Sequence, residues 1–356
     1  MKTFPLALAA LAVVPVFAQS PAPDAVTMYG SIDVGVTWVD NIQGHDRWFV
    51  GSGSKLSNRL GFRGRENLGG DLAAVFTIEH GFNADDGSIG QGGRMWGRQS
   101  FVGLASKTVG TLTLGRQYDF LYAGSPMPLD MGAFLIGGLA GASAGAGTSV
   151  DNHLGGVRYD NTIKWQHSLG PVTAGAMWGL GSENDSDKMA SAALVYRAGT
   201  LWAGVAYLRD NYSPAASGNK IASASINWDA TPAAKLVLNW TQSKAHVAAD
   251  TRSRNDMLQG GVLYKLTQPL AAGVMFGHSK TKNAAGVAGK VQQLGAGFAY
   301  GFSRRTEFYG IASHVKSDGS AGTAFSGVPG IGAPAASFRS NDDTQLVLKT
   351  GIRHSF

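Results

Sequence analysis

Apolar and polar residues alternate with a period of two along almost the whole chain. In the first such segment Val26, Met28, Ile32, Val34, Val36 and Trp38 share one face, and Thr27, Tyr29, Ser31, Asp33 and Thr37 share the other. Near the C-terminus Leu346, Leu348, Ile352 and Phe356 oppose Gln345, Lys349, Arg353 and Ser355. Alternation at 180° per residue describes strands with one apolar and one polar face. The segments that carry it are 26–38, 57–66, 72–82, 96–106, 111–118, 157–168, 172–180, 189–198, 200–209, 220–229, 234–244, 255–266, 270–280, 291–302, 306–315 and 343–356, sixteen in all.

The connections alternate in length. Tight ones fall at 67–71, 107–110, 169–171, 197–200, 229–232, 266–269 and 302–305. Long, polar, Gly-rich ones fall at 39–56, 83–95, 119–156, 181–188, 210–219, 245–254, 281–290 and 316–342. Short turns at one end and long loops at the other define an up-and-down meander of hairpins. A soluble sandwich would turn its apolar face inward, whereas a transmembrane barrel turns it to lipid and lines a lumen with polar groups. Strands of about 10 residues match a membrane crossing tilted at about 45°. Trp38, Trp48, Trp96, Tyr207, Trp240, Tyr300, Phe308 and Tyr309 cluster near strand ends, as a headgroup girdle requires. Only helices or closed barrels satisfy their backbone in a bilayer. The pattern therefore predicts an all-β, 16-stranded antiparallel transmembrane β-barrel.

Composition sharpens this picture. Of 356 residues 50 are Gly, none is Cys, and 15% are charged. That excludes a charge-rich helical protein, a disulfide framework and any thiolate chemistry. The net charge of +6 is modest, so its placement matters more than its size. Residues 1–18 read as a secretory signal peptide, with Lys2 ahead of an apolar run and small residues before cleavage after Ala18. The expected domains are this signal and a barrel over 19–356. Residues 131–150 lack charge but are mostly Gly, Ala and Ser, so they read as loop rather than a membrane helix.

Several stretches carry a family resemblance: VTMYGSIDVGV, SNRLGFRGRENLGGDLAAVFTIEHGF, RQSFVGLASKTVGTLTLGRQYD, RYDNTIKW and the ending GIRHSF. In this order they resemble the general porins of Gram-negative beta-proteobacteria, of the anion-selective type, across essentially the whole chain after the signal. The resemblance implies a homotrimer in the outer membrane, in contact with its lipid and lipopolysaccharide. It implies that loop 119–156, the longest, folds into the lumen and narrows it. It also implies that the terminal aromatic Phe356 is read by the barrel-assembly machinery.

A pore selects by its diameter and by the charges at its narrowest point. Where Leu60 and Phe62 face lipid, Arg59, Arg63 and Arg65 face inward. Leu72, Phe76 and Ile78 on the outside leave Glu79 inside, and Ile163 and Trp165 outside leave Arg158, Asp160 and Lys164 inside. Lys349 lies on the polar face of the last segment. Parity leaves Arg98 open, because Phe101 competes with Val102 and Leu104 for the outer face. The resemblance places Arg59, Arg98 and Arg158 in a basic wall opposite the third loop, with Glu79 as an acid beside it. Asp119 and Asp130 are that loop's own acids. Arg116 groups with Leu112 and Leu114 on the outer face, where an arginine at mid-membrane costs about 2–4 kcal/mol. It is expected in the subunit contact, paired with a neighbour's acid such as Asp85 or Asp86; the alternative places it at the membrane edge, snorkelling.

Other motifs point nowhere. Gly141–Gly145 spells the G-x-S-x-G elbow of serine hydrolases without the strand and helix that elbow needs. Glu183, Asp185 and Asp187 lack the full EF-hand pattern and read as a solvated loop. No catalytic constellation, metal set, cofactor fingerprint or nucleic-acid partner is expected. The leading function is passive diffusion of small hydrophilic solutes and ions, favouring anions. A channel for one solute class, phosphate or organic acids, is the nearest alternative. A barrel phospholipase or an autotransporter translocator would need a Ser-His pair or a large passenger, and neither can be named.

Overall fold

In a computed structural model of the protein, the described residues are 25–53, 55–121, 158–181, 188–210, 219–247, 251–282, 285–319, 340 and 342–356. The strands are β1 (Ala25–Ile42), β2 (His45–Ser52), β3 (Arg59–Gly69), β4 (Leu72–Gly81), β5 (Gln99–Ser106), β6 (Gly110–Tyr118), β7 (Arg158–Leu169), β8 (Val172–Leu180) and β9 (Lys188–Ala198). They continue as β10 (Leu201–Asp210), β11 (Asn219–Asp229), β12 (Ala234–Val247), β13 (Thr251–Lys265), β14 (Leu270–Lys282), β15 (Ala288–Gly301), β16 (Thr306–Gly319) and β17 (Thr344–Ser355). Every pairing is antiparallel, each strand from β3 onward pairs with the next, and β17 returns to β1, closing the sheet.

Seventeen strands make sixteen staves. The first half of β1 pairs with β3, from Ala25↔Arg65 to Ser31↔Arg59, and the second half pairs with β2, from Val34↔Ser52 to Ile42↔His45. Strands β2 and β3 thus occupy one position around the ring, broken by an excursion at 53–58. This corrects the expectation of a long loop at 39–56. Gln43 and Gly44 both take positive φ, +52° and +90°, which suits a two-residue hairpin turn. The charges of His45, Asp46 and Arg47 hid the alternation from the sequence. Other strands also run past their expected ends, β12 to Val247 and β16 to Gly319.

Outward positions are apolar and exposed in an unbroken series, among them Val102, Leu114, Trp178, Leu194, Val205, Leu238, Phe276, Leu294 and Ile352. Trp228, Tyr264, Tyr300 and Phe302 mark the short-turn end of this belt, and Trp38, Trp48 and Trp178 the long-loop end. Tyr309 is not among them: it points inward, fully buried, and donates 2.6 Å to Asp33 Oδ1. Asp33 also accepts from the backbone N–H of Lys55 and Leu56, so one inward carboxylate holds the 53–58 excursion to the far side of the barrel seam. Phe356 closes that seam, exchanging backbone hydrogen bonds of 3.0 and 3.1 Å with Gly30.

The inner face is not uniformly polar. Met177, Met189, Val195, Leu208 and Ile221 point inward from β8–β11 and form a buried cluster with Phe120 and Leu121. The chain leaving β6 therefore turns into the barrel, and it covers an apolar stretch of inner wall that water would otherwise meet. The rest of loop 119–156, like the expected signal at 1–18 and the 141–145 and 183–187 motifs, lies outside the described residues.

Candidate lumen constriction

One rung of the sheet organises the site. Tyr29 on β1 stands opposite Gly61 on β3, and Gly61 stands opposite Glu79 on β4. The Tyr29 hydroxyl reaches over the glycine and donates 2.9 Å to Glu79 Oε2. A Cβ on residue 61 would lie 2.6 Å from the Tyr29 ring, so only glycine admits this crossing. A second device of the same design closes the seam: Tyr309 crosses Gly351, where a Cβ would lie 2.5 Å from its hydroxyl, to reach Asp33.

Arg98 answers Glu79 from the other side. It precedes β5, where the alternation has not begun, and so escapes the parity that left it open. Its backbone N–H donates to Glu79 O at 3.1 Å, and its Nε donates to Glu79 Oε1 at 2.6 Å. The guanidinium is 0% exposed and the carboxylate side chain 3%. An NH2 proton goes to the Tyr118 hydroxyl at 2.6 Å. Arg158 donates to the same hydroxyl at 3.0 Å and lies 4.6 Å above the Tyr118 ring. Arg98 is thus brought to the site of Arg158, but as a covered strut neutralised by Glu79. A buried pair with such geometry holds because neither charge is left without a partner.

The accessible cations lie around it. Arg63 is exposed and sits 5.3 Å over the Tyr29 ring; Arg59 and Arg65 are partly exposed on the same inward face of β3. Arg59 donates to Ser57 O at 3.2 Å, inside the excursion that Asp33 holds. Lys164 points inward opposite Thr113 but is covered, its Nζ donating 2.7 Å to Tyr118 O and lying 4.5 Å over Phe120. Asp119 is 2% exposed and accepts from the Leu121 N–H, shaping the turn into the lumen. Lys349 faces inward opposite Thr37 and is 5% exposed. Asp130 lies outside the described residues. Among the described residues on this part of the wall, the cations Arg59, Arg63, Arg65, Arg98, Arg158 and Lys164 outnumber the carboxylates Asp33, Glu79 and Asp119.

One expectation needs correction. Asp160 does not face the lumen: the register slips between Gly115 and Gln117, opposite Asn161 at φ +53°, and the bulge turns Asp160 to the outer side. There it accepts from Arg116 NH1 and Arg94 NH1, each at 2.7 Å. Arg116 accordingly has an acid within its own chain, Asp160, and also donates to Gly97 O at 2.8 Å.

Alternation alone does not single out Tyr118, and it places Tyr29 on the polar face without a role. Nor does it single out Tyr159, whose hydroxyl donates 2.6 Å to the buried Asp210. The available signal was an inward tyrosine with a carboxylate two strands away, as for Tyr29 and Glu79, or three, as for Tyr159 and Asp210, which needs the register to be seen.

A profile described as Gram-negative porin matches residues 6–320. The chain belongs to that family. Among curated porins, an outer membrane porin protein of Bordetella pertussis is 36% identical over 185 residues, 47% of this chain and 45% of its own. Outer membrane porin protein 32 of Delftia acidovorans is 33% identical over 169 residues, 44% of each chain. The porin thus spans a little under half the length of the curated relatives it matches. Among solved structures, an anion-selective porin from Comamonas acidovorans superposes with a TM-score of 0.78 at 23% identity, over 94% of this chain and 100% of that one. OmpT of Vibrio cholerae in its trimer form superposes at 0.67 and 14% identity, over 94% and 100%. These two structural likenesses show the shared barrel fold.

Proposed function

We propose that this porin is a water-filled channel of the Gram-negative outer membrane, conducting small hydrophilic solutes and ions by passive diffusion and favouring anions, without catalysis. The observation that carries this reading is the imbalance on the inner wall around β3. Cations outnumber carboxylates there: Glu79 is paired with the covered Arg98, while Arg63 is exposed over the Tyr29 ring and Arg65 is partly exposed on the same inward face. Fixed cations in such a setting focus anions from several ångströms away. The accessory partners are a second and third copy of the chain, the outer-membrane lipid, and the assembly machinery that reads Phe356. Support for the trimer comes from the OmpT structure in its trimer form.

Single-channel recording of the reconstituted protein tests the reading. Conductance steps grouped in threes are expected, with chloride carrying most of the current. Phosphate or a dicarboxylate that blocks chloride current at low concentration would replace the general channel by one dedicated to that solute. Absence of stepwise conductance would overturn the channel reading.

A further inference from the structure

The chain joining β2 to β3 does more than turn a corner. Along β1, Ser31 is the last residue to pair with β3 and Val34 the first to pair with β2. Asp33 stands in the gap, and the joining chain satisfies its backbone. Gly53 N–H donates to Asp33 O at 2.7 Å, and Asp33 N–H donates to the side-chain oxygen of Asn58. Asn58 in turn donates to Ser52 Oγ and is buried. Extra residues in a strand bulge to one face or the other. On the outer face their N–H and C=O groups would meet lipid unpaired. They go inward instead: the lumen-side carboxylate of Asp33 accepts from Lys55 N–H at 2.9 Å and from Leu56 N–H at 2.6 Å, both on Oδ2.

A side chain fastens this inner layer to a more distant strand. Lys55 Nζ reaches past β1 and β17 to Glu307 Oε1 on β16, at 2.7 Å. It also lies 5.8 Å from the Tyr309 ring. Glu307, Arg353 and Asp33 share one rung, and Arg353 Nε lies 3.1 Å from the same Glu307 oxygen. The Lys55 and Glu307 side chains are 11% and 19% exposed, covered well beyond an ordinary surface ion pair. The inner layer stands about 5 Å inside the wall, the reach of a carboxylate side chain plus a hydrogen bond. Ser57 O in the same layer accepts from Arg59 Nε at 3.2 Å, which fixes the direction of a lumen cation. Lys55, Leu56 and Ser57 are themselves only half-buried.

We infer that residues 55–58 form a second constriction element of the channel, separate from loop 119–156. They narrow the lumen beside β16, β17 and β1, with Leu56 as their lumen-side tip. The Lys55–Glu307 pair holds them at one fixed width, and Ser57 positions Arg59. Because Glu307 compensates Lys55, the element acts on solute size rather than on ion sign. This rests on the channel reading above.

The protein has no cysteine, so Leu56→Cys introduces a unique thiol. A neutral, bulky maleimide is added to single channels of this variant already inserted in a planar bilayer, so the reagent meets a folded channel. Conductance should step down, one step for each conducting unit, with no shift in reversal potential. The largest polyethylene glycol that enters the channel should become smaller, and the unaltered protein should not respond. In a second measurement Lys55→Met and Glu307→Gln should each raise the open-channel current noise. The double variant should raise it no further than either single one, because both release the same latch. A thiol that the reagent cannot reach, conductance unchanged after labelling, or noise unmoved in both latch variants would overturn the inference. Absence of stepwise conductance in the unaltered protein would instead overturn the channel reading on which it rests.

Discussion

The Tyr29 hydroxyl and the Glu79 carboxylate are joined at 2.9 Å across an intervening strand, over a residue that must be glycine. The bond ties β1 to β4 from the inside and orients Glu79 so that its other oxygen meets Arg98. Tyr29→Phe removes one charge-assisted hydrogen bond and should lower the unfolding free energy by about 1.5–3 kcal/mol. Gly61→Val displaces the whole ring and should cost more. Urea unfolding in vesicles measures both, and equal midpoints for the two variants would contradict this geometry.

Arg98 and Glu79 stand or fall together. Removing the carboxylate alone, as in Glu79→Ala, leaves a buried guanidinium without its partner and should cost about 3–5 kcal/mol. Replacing both, Glu79→Met with Arg98→Met, should recover most of that loss, because apolar pairs of similar volume often substitute for a buried ion pair. The double-mutant cycle reads the coupling directly, and additive losses would show that the pair is not coupled.

Arg116 is satisfied within its chain by Asp160 and Gly97. Arg116→Ala should therefore leave trimers as heat-resistant as the unaltered protein on native gels. Asp160 is 44% exposed, so Asp160→Asn should cost at most about 1 kcal/mol. Trimers that fall apart at lower temperature in Arg116→Ala would restore the intersubunit pairing.

Asp71 lies in the β3–β4 turn and accepts from Ser106 Oγ and Thr108 N of the next turn, at 2.6 and 3.0 Å. The Ser106 and Thr108 hydrogen bonds lower its pKa from the ordinary 3.8 to about 2. Because the folded value lies below the unfolded one, this contact stabilises the barrel fully above the unfolded pKa. The stabilisation declines as pH falls from there through the folded value near 2. Asp71→Asn should thus be less stable than the unaltered protein at neutral pH, with the difference shrinking to a small remainder as pH approaches 2. A difference at pH 2 as large as at neutral pH would place the carboxylate elsewhere.

The barrel was legible because lipid on one side and polar groups on the other impose a strict period of two. Arg59, Arg63, Arg65 and Lys164 could be placed inward from that period alone. It failed where the backbone departs from it: at Asn161, whose bulge turns Asp160 outward, and at Arg98, which precedes its strand. It failed again on β8–β11, where Met177 and Leu208 face inward because chain covers them instead of water. Pairings between strands, such as Tyr309 with Asp33, depend on register, which no single strand encodes.

The excess of cations on the inner wall is proposed to select anions. The reversal potential of the reconstituted channel across a steep potassium chloride gradient tests it most directly. The expected potential has the sign set by chloride moving down its gradient, and it diminishes when Arg59, Arg63 and Arg158 are all replaced by Gln. A potential set by potassium, or one indifferent to those three replacements, would contradict it.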